Sequence, residues 1–426
     1  MEVKTGYKQT EVGVIPEDWD VVEAFELDPY ITSGSRGWAK YYSDRGSLFM
    51  RMTNLSRDSI YPNLSDQKFV ELPKTETEGL RTALQDGDIL VSITADIGII
   101  GYVNPSIPKP AYINQHIACL RLPPKKADSL FQSYYLASHE PQRRFAEITD
   151  VGAKTGINLT TVGKLKLLRP PLPEQRAIAE ALRDADALLD GLDRLIAKKR
   201  DLKQAAMQQL LTGQTRLSGF QGEWEVKTLF DLAERKKELF DDGDWIESEH
   251  ITTQGIRLIQ TGNIGVGTFI EKDAKKYIYE KSFRSLRCKE LRLGDLLVSR
   301  LADPAGRACV LPNIGEERII TSVDVTIFRP PPEMADRLFL SNVFSTPEWF
   351  QAVSDRSGGT THKRISRGAL GRLSIKLPPL PEQTAIAEVL TNMDAELGAL
   401  EQRREKTRTL KQAMMQELLT GKTRLV

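Results

Sequence analysis

Residues 171–217 read PLPEQRAIAEALRDADALLDGLDRLIAKKRDLKQAAMQQLLTGQTRL, and residues 379–425 read PLPEQTAIAEVLTNMDAELGALEQRREKTRTLKQAMMQELLTGKTRL. The two stretches lie 208 positions apart and agree at 29 of 47 positions without a gap. Shared composition does not produce that agreement, so the chain carries an internal duplication. Each copy opens on a proline-rich lead-in, Arg169–Pro173 and Leu377–Pro381, which favours extended backbone. The last proline suits the start of a helix, where no amide donor is needed. Glu174 and Glu382 then place a carboxylate at the positive end of the helix dipole. About forty proline-free residues rich in Ala, Leu, Gln, Lys and Glu follow, all good helix formers. Gly213 and Gly421 supply the left-handed stop.

Apolar residues recur along both copies at alternating steps of four and three. They are Ile178, Leu182, Ala185, Leu189, Leu192 and Ile196 in the first, with Ile386, Leu390, Met393, Leu397 and Leu400 in the second. This is a coiled-coil seam. It weakens at Lys198–Arg200 and at Arg403–Lys406. The alternative is an amphipathic helix lying on its own domain, but two long helices of matching pattern favour mutual pairing. The first helix carries the chain from one module to the next and the second leaves the second module, so side-by-side pairing must be antiparallel. Forty residues at about 1.5 Å each give a rod of roughly 60 Å, an upper bound on module separation. The start of the chain, running to IPEDWDV, reads as the continuation that TGKTRL lacks, so the two ends are expected close together.

The repeat extends upstream in weaker form. Gly87–Ser92 (GDILVS) answers Gly294–Ser299 (GDLLVS), Met52–Leu55 answers Thr261–Ile264, and Trp19 answers Trp224. The expected plan is a first module over 1–170, a helix over 171–217, a second module over 218–378 and a helix over 379–426. Duplicated helices that stay alike face something constant. Modules that diverge face something that differs. Both modules read as mixed α/β with short strands at 88–93, 117–122, 295–299 and 324–329, and with helical stretches at 128–147 and 335–354.

Composition narrows the function. Net charge is +1, so any nucleic-acid surface must be a local basic patch balanced by acid such as Asp241, Asp242, Asp244, Glu247 and Glu249. No run of eighteen apolar residues occurs, and no membrane partner is expected. Cys119, Cys288 and Cys309 are scattered singly, which fits a reducing cytoplasm and neither a disulfide framework nor a zinc site.

Over its whole length the chain resembles the specificity subunit of type I restriction-modification enzymes. The paired PLPEQ-x-AIAE helices, the LLTG-x-TRL endings, the GVIPEDW and GFQGEW openings and the GD-[IL]-LVS strands carry the resemblance. It implies an α/β (α+β) fold of two similar target-recognition domains joined by two long antiparallel coiled-coil helices in a pseudo-twofold repeat. Each domain would read one half of a split double-stranded DNA target. The helices would act as a spacer and dock two modification subunits, with a restriction subunit as an optional further partner. S-adenosylmethionine and the methylation chemistry would belong to the modification subunit, leaving this chain without a cofactor.

The residues themselves carry no catalytic signature. Asp28-Pro29-Tyr30 lacks the second proline of an adenine methyltransferase loop, and the residue five before Gly421 is Gln416, not the Gly of a phosphate loop. The four histidines show no metal spacing, and no Gly-x-Ser-x-Gly elbow is present. No catalytic or metal-ligating residue is assigned. The competing reading is a scaffold whose repeated modules bind proteins.

Base edges are read by Arg, Lys, Asn and Gln, and phosphates are held by Lys, Ser, Thr and backbone amides. On that chemistry the first module offers Ser35, Arg36, Lys40, Arg51 and Asn54, in a stretch that also holds Trp38, together with Lys154 and Thr155 in a Gly-rich loop. The second offers Gln260, Asn263, Arg300, Thr361, Lys363 and Arg364, with Arg300 the leading candidate for a base contact.

Overall fold

The computed structural model describes residues 4–34, 36–73, 77–150, 156–359 and 363–425. The chain forms two compact units. One contains residues 1–193 with 402–426, and the other contains residues 194–401. Each unit therefore holds one module, the head of one long helix and the tail of the other.

In the first unit a four-stranded antiparallel sheet is made of β1 (Tyr30–Ser33), β2 (Ile89–Ser92), β3 (Ile100–Tyr102) and β4 (Ile117–Arg121), in the order β1-β4-β2-β3. The second unit repeats it with β5 (Phe240–Asp242), β6 (Leu296–Ser299), β7 (Ala308–Val310) and β8 (Val325–Phe328), in the order β5-β8-β6-β7. The two central strands of each sheet are buried almost throughout, which is why they read as mainly apolar runs, with Thr326, Ser92 and Ser299 as buried polar exceptions. A second, mixed four-stranded sheet completes each module.

The Gly-Asp pair ahead of each central strand is a structural device. Gly87 and Gly294 sit at φ +88° and +84°, a region open to glycine. Asp88 and Asp295 are fully buried and accept the backbone N–H groups of Gln85 and Arg292 at 2.7 and 2.8 Å. Each is then held by an arginine at the end of the neighbouring strand, Arg121 at 2.6 Å and Arg329 at 2.6 Å. A buried charge persists only when paired and hydrogen-bonded in this way.

The helical stretches expected as single pieces each break in two, into Ser129–Leu136 and His139–Asp150, and into Arg337–Val343 and Pro347–Ser354. Pro141 and Pro347 cannot donate to the preceding turn, so each falls in the first turn of a new helix.

The long helices are α1 (Leu172–Leu210) and α3 (Leu380–Leu418), and between them the second module contributes the short helix α2 (Glu280–Leu286). The seam is inside the fold: Ile178, Leu182, Leu192, Ile196, Ile386, Leu390 and Leu397 are buried, and Leu189, Met393 and Leu400 are partly so. Two modes of packing share it. In the first unit Ile178 and Leu182 join the module's own core together with Leu418 and Leu419 from α3 and its exit. In the second, Ile386 and Leu390 do the same with Leu210 and Leu211. Each helix head thus lies on its own module and on the tail of the other helix.

Ion pairs give the direction. In the first unit Asp186 pairs with Lys411, and Asp193 with Arg404, so advance along α1 matches retreat along α3. In the second unit Lys203 pairs with Asp394, Lys199 with Glu396 at 2.7 Å and Arg200 with Glu401. Pairing is antiparallel in both units. The charged stretches that interrupt the seam supply three of these contacts, through Lys199, Arg200 and Arg404.

The head of each helix is locked by its PEQ triplet. Glu174 is fully buried, accepting from Trp19 Nε1 at 3.1 Å and from Arg424 at 2.7 Å. Arg424 also donates to Asp18 at 2.9 and 3.0 Å, and its hydrogen bond holds the Asp18 carboxyl below the usual range. Gln175 accepts from Asp128 N at 2.9 Å and donates to the Pro170 carbonyl at 2.8 Å. In the second unit Arg216 grips the fully buried Glu382, and Gln383 bridges Asp336 N and the Pro378 carbonyl at 2.9 and 2.8 Å. The Tyr7 hydroxyl donates to the Gly421 carbonyl at 3.0 Å, which brings the two ends of the chain together as their sequences imply.

Glu174→Ala would leave Arg424 and Trp19 without their buried acceptor, at a cost of about 3 kcal/mol or more. Amide exchange should accelerate around residues 7–27 and 418–425 while β6 keeps its protection. Unchanged exchange in those segments would show that the clasp is not what holds the helix head.

Candidate nucleic-acid interface

The expected DNA-reading residues separate into two groups. Asn54 and Asn263 are buried and close equivalent turns. Asn54 Oδ1 accepts Arg51 N at 2.9 Å, and Nδ2 donates to the Asn63 carbonyl at 2.9 Å. Asn263 Oδ1 accepts Gln260 N at 3.0 Å, and Nδ2 donates to the Ile270 carbonyl at 2.9 Å. The Met52–Leu55 and Thr261–Ile264 resemblance therefore records a shared turn. The side chain of Arg51 is mostly covered and pairs with Asp66 at 2.7 Å. Gln260 is half-buried at the start of its turn.

The structure corrects the expectation for Arg300. It is 3% exposed, pairs with Asp242 at 3.0 Å and donates to the Val323 and Ile365 carbonyls at 2.6 and 3.3 Å. Burial pulls its pKa down, against the opposing charge of Asp242. A guanidinium held on several sides inside the fold has no free edge for a base. Asn54 and Asn263 are corrected on the same ground. Trp38 is likewise buried, stacked at 5.7 Å on Phe49 and edge-on to Tyr112 at 5.4 Å.

The second group lies at the surface. Arg36 is exposed and has no carboxylate partner among the described residues. Lys40 is exposed, over the Tyr41 ring at 4.8 Å. Lys363 is exposed, and Arg364 is half-exposed with Asp324 at 2.7 Å. Gly358 and Arg364 exchange both backbone hydrogen bonds at 2.9 Å, and the next residue, Ile365, donates its N–H to the Arg300 carbonyl at 3.0 Å. Ser35, Lys154, Thr155 and Thr361 lie outside the described residues.

One basic segment is not among the residues expected from sequence. Between Lys272 and Arg292 the chain carries eight Lys or Arg residues against Asp273, Glu280 and Glu290. Lys272, Lys276, Lys281, Arg287 and Arg292 are exposed, and their side-chain cations have no carboxylate partner among the described residues. Its signal is local charge density, which the near-neutral total conceals. The acid expected to balance a basic patch is largely spent inside the fold. Asp241 pairs with Arg367 and Lys289, Asp242 with Arg300, and Asp244 with Lys289.

The first unit also holds a groove of about 1540 Å³ between its module and the helix pair. Its titratable groups are largely cross-linked: Tyr134 donates to Asp186 at 2.7 Å, Asp186 pairs with Lys411, and Tyr61 meets Tyr134 at 3.3 Å. Burial raises the Tyr134 and Tyr61 phenols above their ordinary range. This is a polar seam between module and helices. The three thiols are buried and pushed up, Cys288 to about 11 and Cys309 to about 12, which keeps these two protonated and poorly nucleophilic at neutral pH. Among the described residues no three His, Cys, Asp or Glu side chains group to hold a metal, and no helix is long and apolar enough to cross a membrane.

Paired modules on clasped antiparallel helices are the architecture of a known DNA-specificity protein. The type I restriction modification DNA specificity domain matches residues 75–198 and 221–408, and the chain belongs to that family. The putative type I restriction enzyme MjaX specificity subunit of Methanocaldococcus jannaschii is 27% identical over 98% of this chain and 97% of its own length. The MjaVIII specificity subunit of the same organism is 24% identical over 96% of this chain and 94% of its own. The S subunit of the type I restriction-modification system from M. genitalium shares the fold, with a TM-score of 0.58 and 13% identity over 98% of both chains. So does a chain from a study of complex assembly and conformational transition in a type I R-M system, with a TM-score of 0.56 and 17% identity over 96% of this chain and 99% of that one.

Arg300→Ala should destabilise the second unit by about 3 kcal/mol, because Asp242 loses its buried partner. DNA selectivity should not change at any single base position. Thermal unfolding and binding to duplexes mutated one base pair at a time check both. A loss confined to one base pair, with stability intact, would return Arg300 to the reading surface.

Proposed function

We propose that this chain is the non-catalytic specificity subunit of a type I restriction-modification complex, each module reading one half of a bipartite DNA target. The observation that carries the reading is the exchange of contacts between helices. Glu174–Arg424 and Asp186–Lys411 in the first unit return as Glu382–Arg216 and Asp394–Lys203 in the second, each helix supplying the other's partner. The helices present equivalent frames, whereas the modules they carry have diverged. Equivalent frames suit two copies of one partner, here two modification subunits, which bring S-adenosylmethionine and transfer the methyl group. A restriction subunit would be a further partner, and cytoplasmic DNA is the fitting substrate. The helices then act as the spacer between half-sites, with functional domains at 1–170, 171–217, 218–378 and 379–426.

The test is an exchange of residues 218–378 for the corresponding module of a related chain with matching helices. Methylated adenines in the host should keep the half-site read by residues 1–170 and acquire a new second half at the same spacing. A change in both half-sites together would overturn the two-reader arrangement.

A further inference from the structure

The loop from Asp244 to His250 presents an indole that the fold does not use. Gly34 and Gly243 occupy the same station after the first strand of each sheet. A Cβ on either would lie 2.1 Å from the Asn114 carbonyl oxygen or 2.3 Å from that of Ser322. Two residues further on, the modules present Arg36 and Trp245, both exposed. Trp245 is 68% exposed, and its indole N–H donates to its near neighbour Glu247 at 3.2 Å. Burying so large an apolar ring stabilises a fold by a few kcal/mol, a gain this ring forgoes at a defined place.

The mount of this ring is fixed on both sides. Asp244 accepts Lys289 N at 2.7 Å and pairs with its ammonium at 3.3 Å. Ile246 packs in one apolar cluster with Phe283 and Leu286 of α2. The His250 ring meets the Ser282 hydroxyl at 3.0 Å. The loop therefore runs along α2, where Lys281, Arg284 and the following Arg287 are exposed. Lys281 and Arg287 have no carboxylate partner among the described residues, and Arg284 has only a distant one in Glu280, at 4.0 Å. The corresponding stretch of the first module, residues 65–85, has Lys68, Lys74 and Arg81 against Asp66, Glu71, Glu76 and Glu78.

We propose that the Trp245 loop and α2 form a DNA-contact face of the second unit. Trp245 makes the apolar contact to a base or sugar, and Lys281, Arg284 and Arg287 hold phosphates. The inference rests on the DNA-reading function proposed above. Double-stranded DNA is the occupant because exposed cations, little engaged by carboxylates, accompany an exposed aromatic ring. That combination holds a charged backbone and makes apolar contact with deoxyribose or a thymine methyl exposed at the groove. The first module presents Arg36 at this station and lacks the basic helix, so the two half-sites should differ in salt dependence.

The experiment uses the full-length chain assembled with its modification subunits and a duplex carrying the sequence methylated in the host. Trp245→Ala should weaken binding about tenfold, the loss of one apolar contact at the groove, and Trp245→Phe should retain most of it. The difference in fluorescence between the wild-type and Trp245→Phe complexes should be quenched by DNA and not by assembly. A Lys281→Gln, Arg284→Gln, Arg287→Gln variant should flatten the dependence of log K on log salt by about 0.9 for each phosphate no longer neutralised. Unchanged affinity with an unquenched indole would overturn the placement, as would quenching by the modification subunits before DNA is added. The fluorescence difference still decides the matter if Trp245→Ala fails to fold. A wild-type complex that shows no preference for the methylated sequence over a scrambled duplex would instead overturn the DNA-reading function itself.

Discussion

Everything in this protein hangs on a buried carboxylate at the head of each long helix. Glu174 and Glu382 have no exposure to water, and a carboxylate so placed is tolerable only with donors around it. The decisive donor comes from the tail beyond the opposite helix, Arg424 for Glu174 and Arg216 for Glu382. Neither helix head can be satisfied locally. The contact makes register and antiparallel direction one requirement, because a shift of α3 along α1 would strand both charges. The neighbouring glutamine adds a link to the module itself, through the backbone of Asp128 or Asp336.

The modules build on that frame with a second buried acid. Asp88 and Asp295 tie a tight glycine turn to the end of the adjacent strand through Arg121 and Arg329. Asn54 and Asn263 then shape equivalent turns. With these fixed, surface loops can diverge without cost to the core, which is the physical condition for a family that changes its DNA target while keeping its fold. The station after the first strand illustrates this. Its glycine is demanded by a neighbouring carbonyl in both modules, yet it delivers an arginine in one and a tryptophan in the other.

The duplication, the two long helices, their antiparallel pairing and the repeated Gly-Asp strands were legible in the sequence. Each is a periodic or repeated signal, and repetition survives without knowledge of three-dimensional neighbours. Helix direction followed from connectivity alone. Even the meeting of the chain's two ends could be inferred, since TGKTRL and the opening residues together match the unbroken middle of the chain.

The tertiary structure decided which polar residues are available. Arg300, Asn54 and Asn263 have the chemistry of base readers, but their partners Val323, Asn63 and Ile270 are carbonyl acceptors that no residue pattern announces. Trp38 and Trp245 look alike in sequence, yet one is stacked in an aromatic cluster and the other stands in water. The acids Asp241, Asp242 and Asp244 look like a negative patch and are instead neutralised by Arg367, Arg300 and Lys289. A sequence determines periodicity and repetition because these are properties of the chain. Exposure and pairing depend on residues distant in sequence, so only the folded arrangement assigns them.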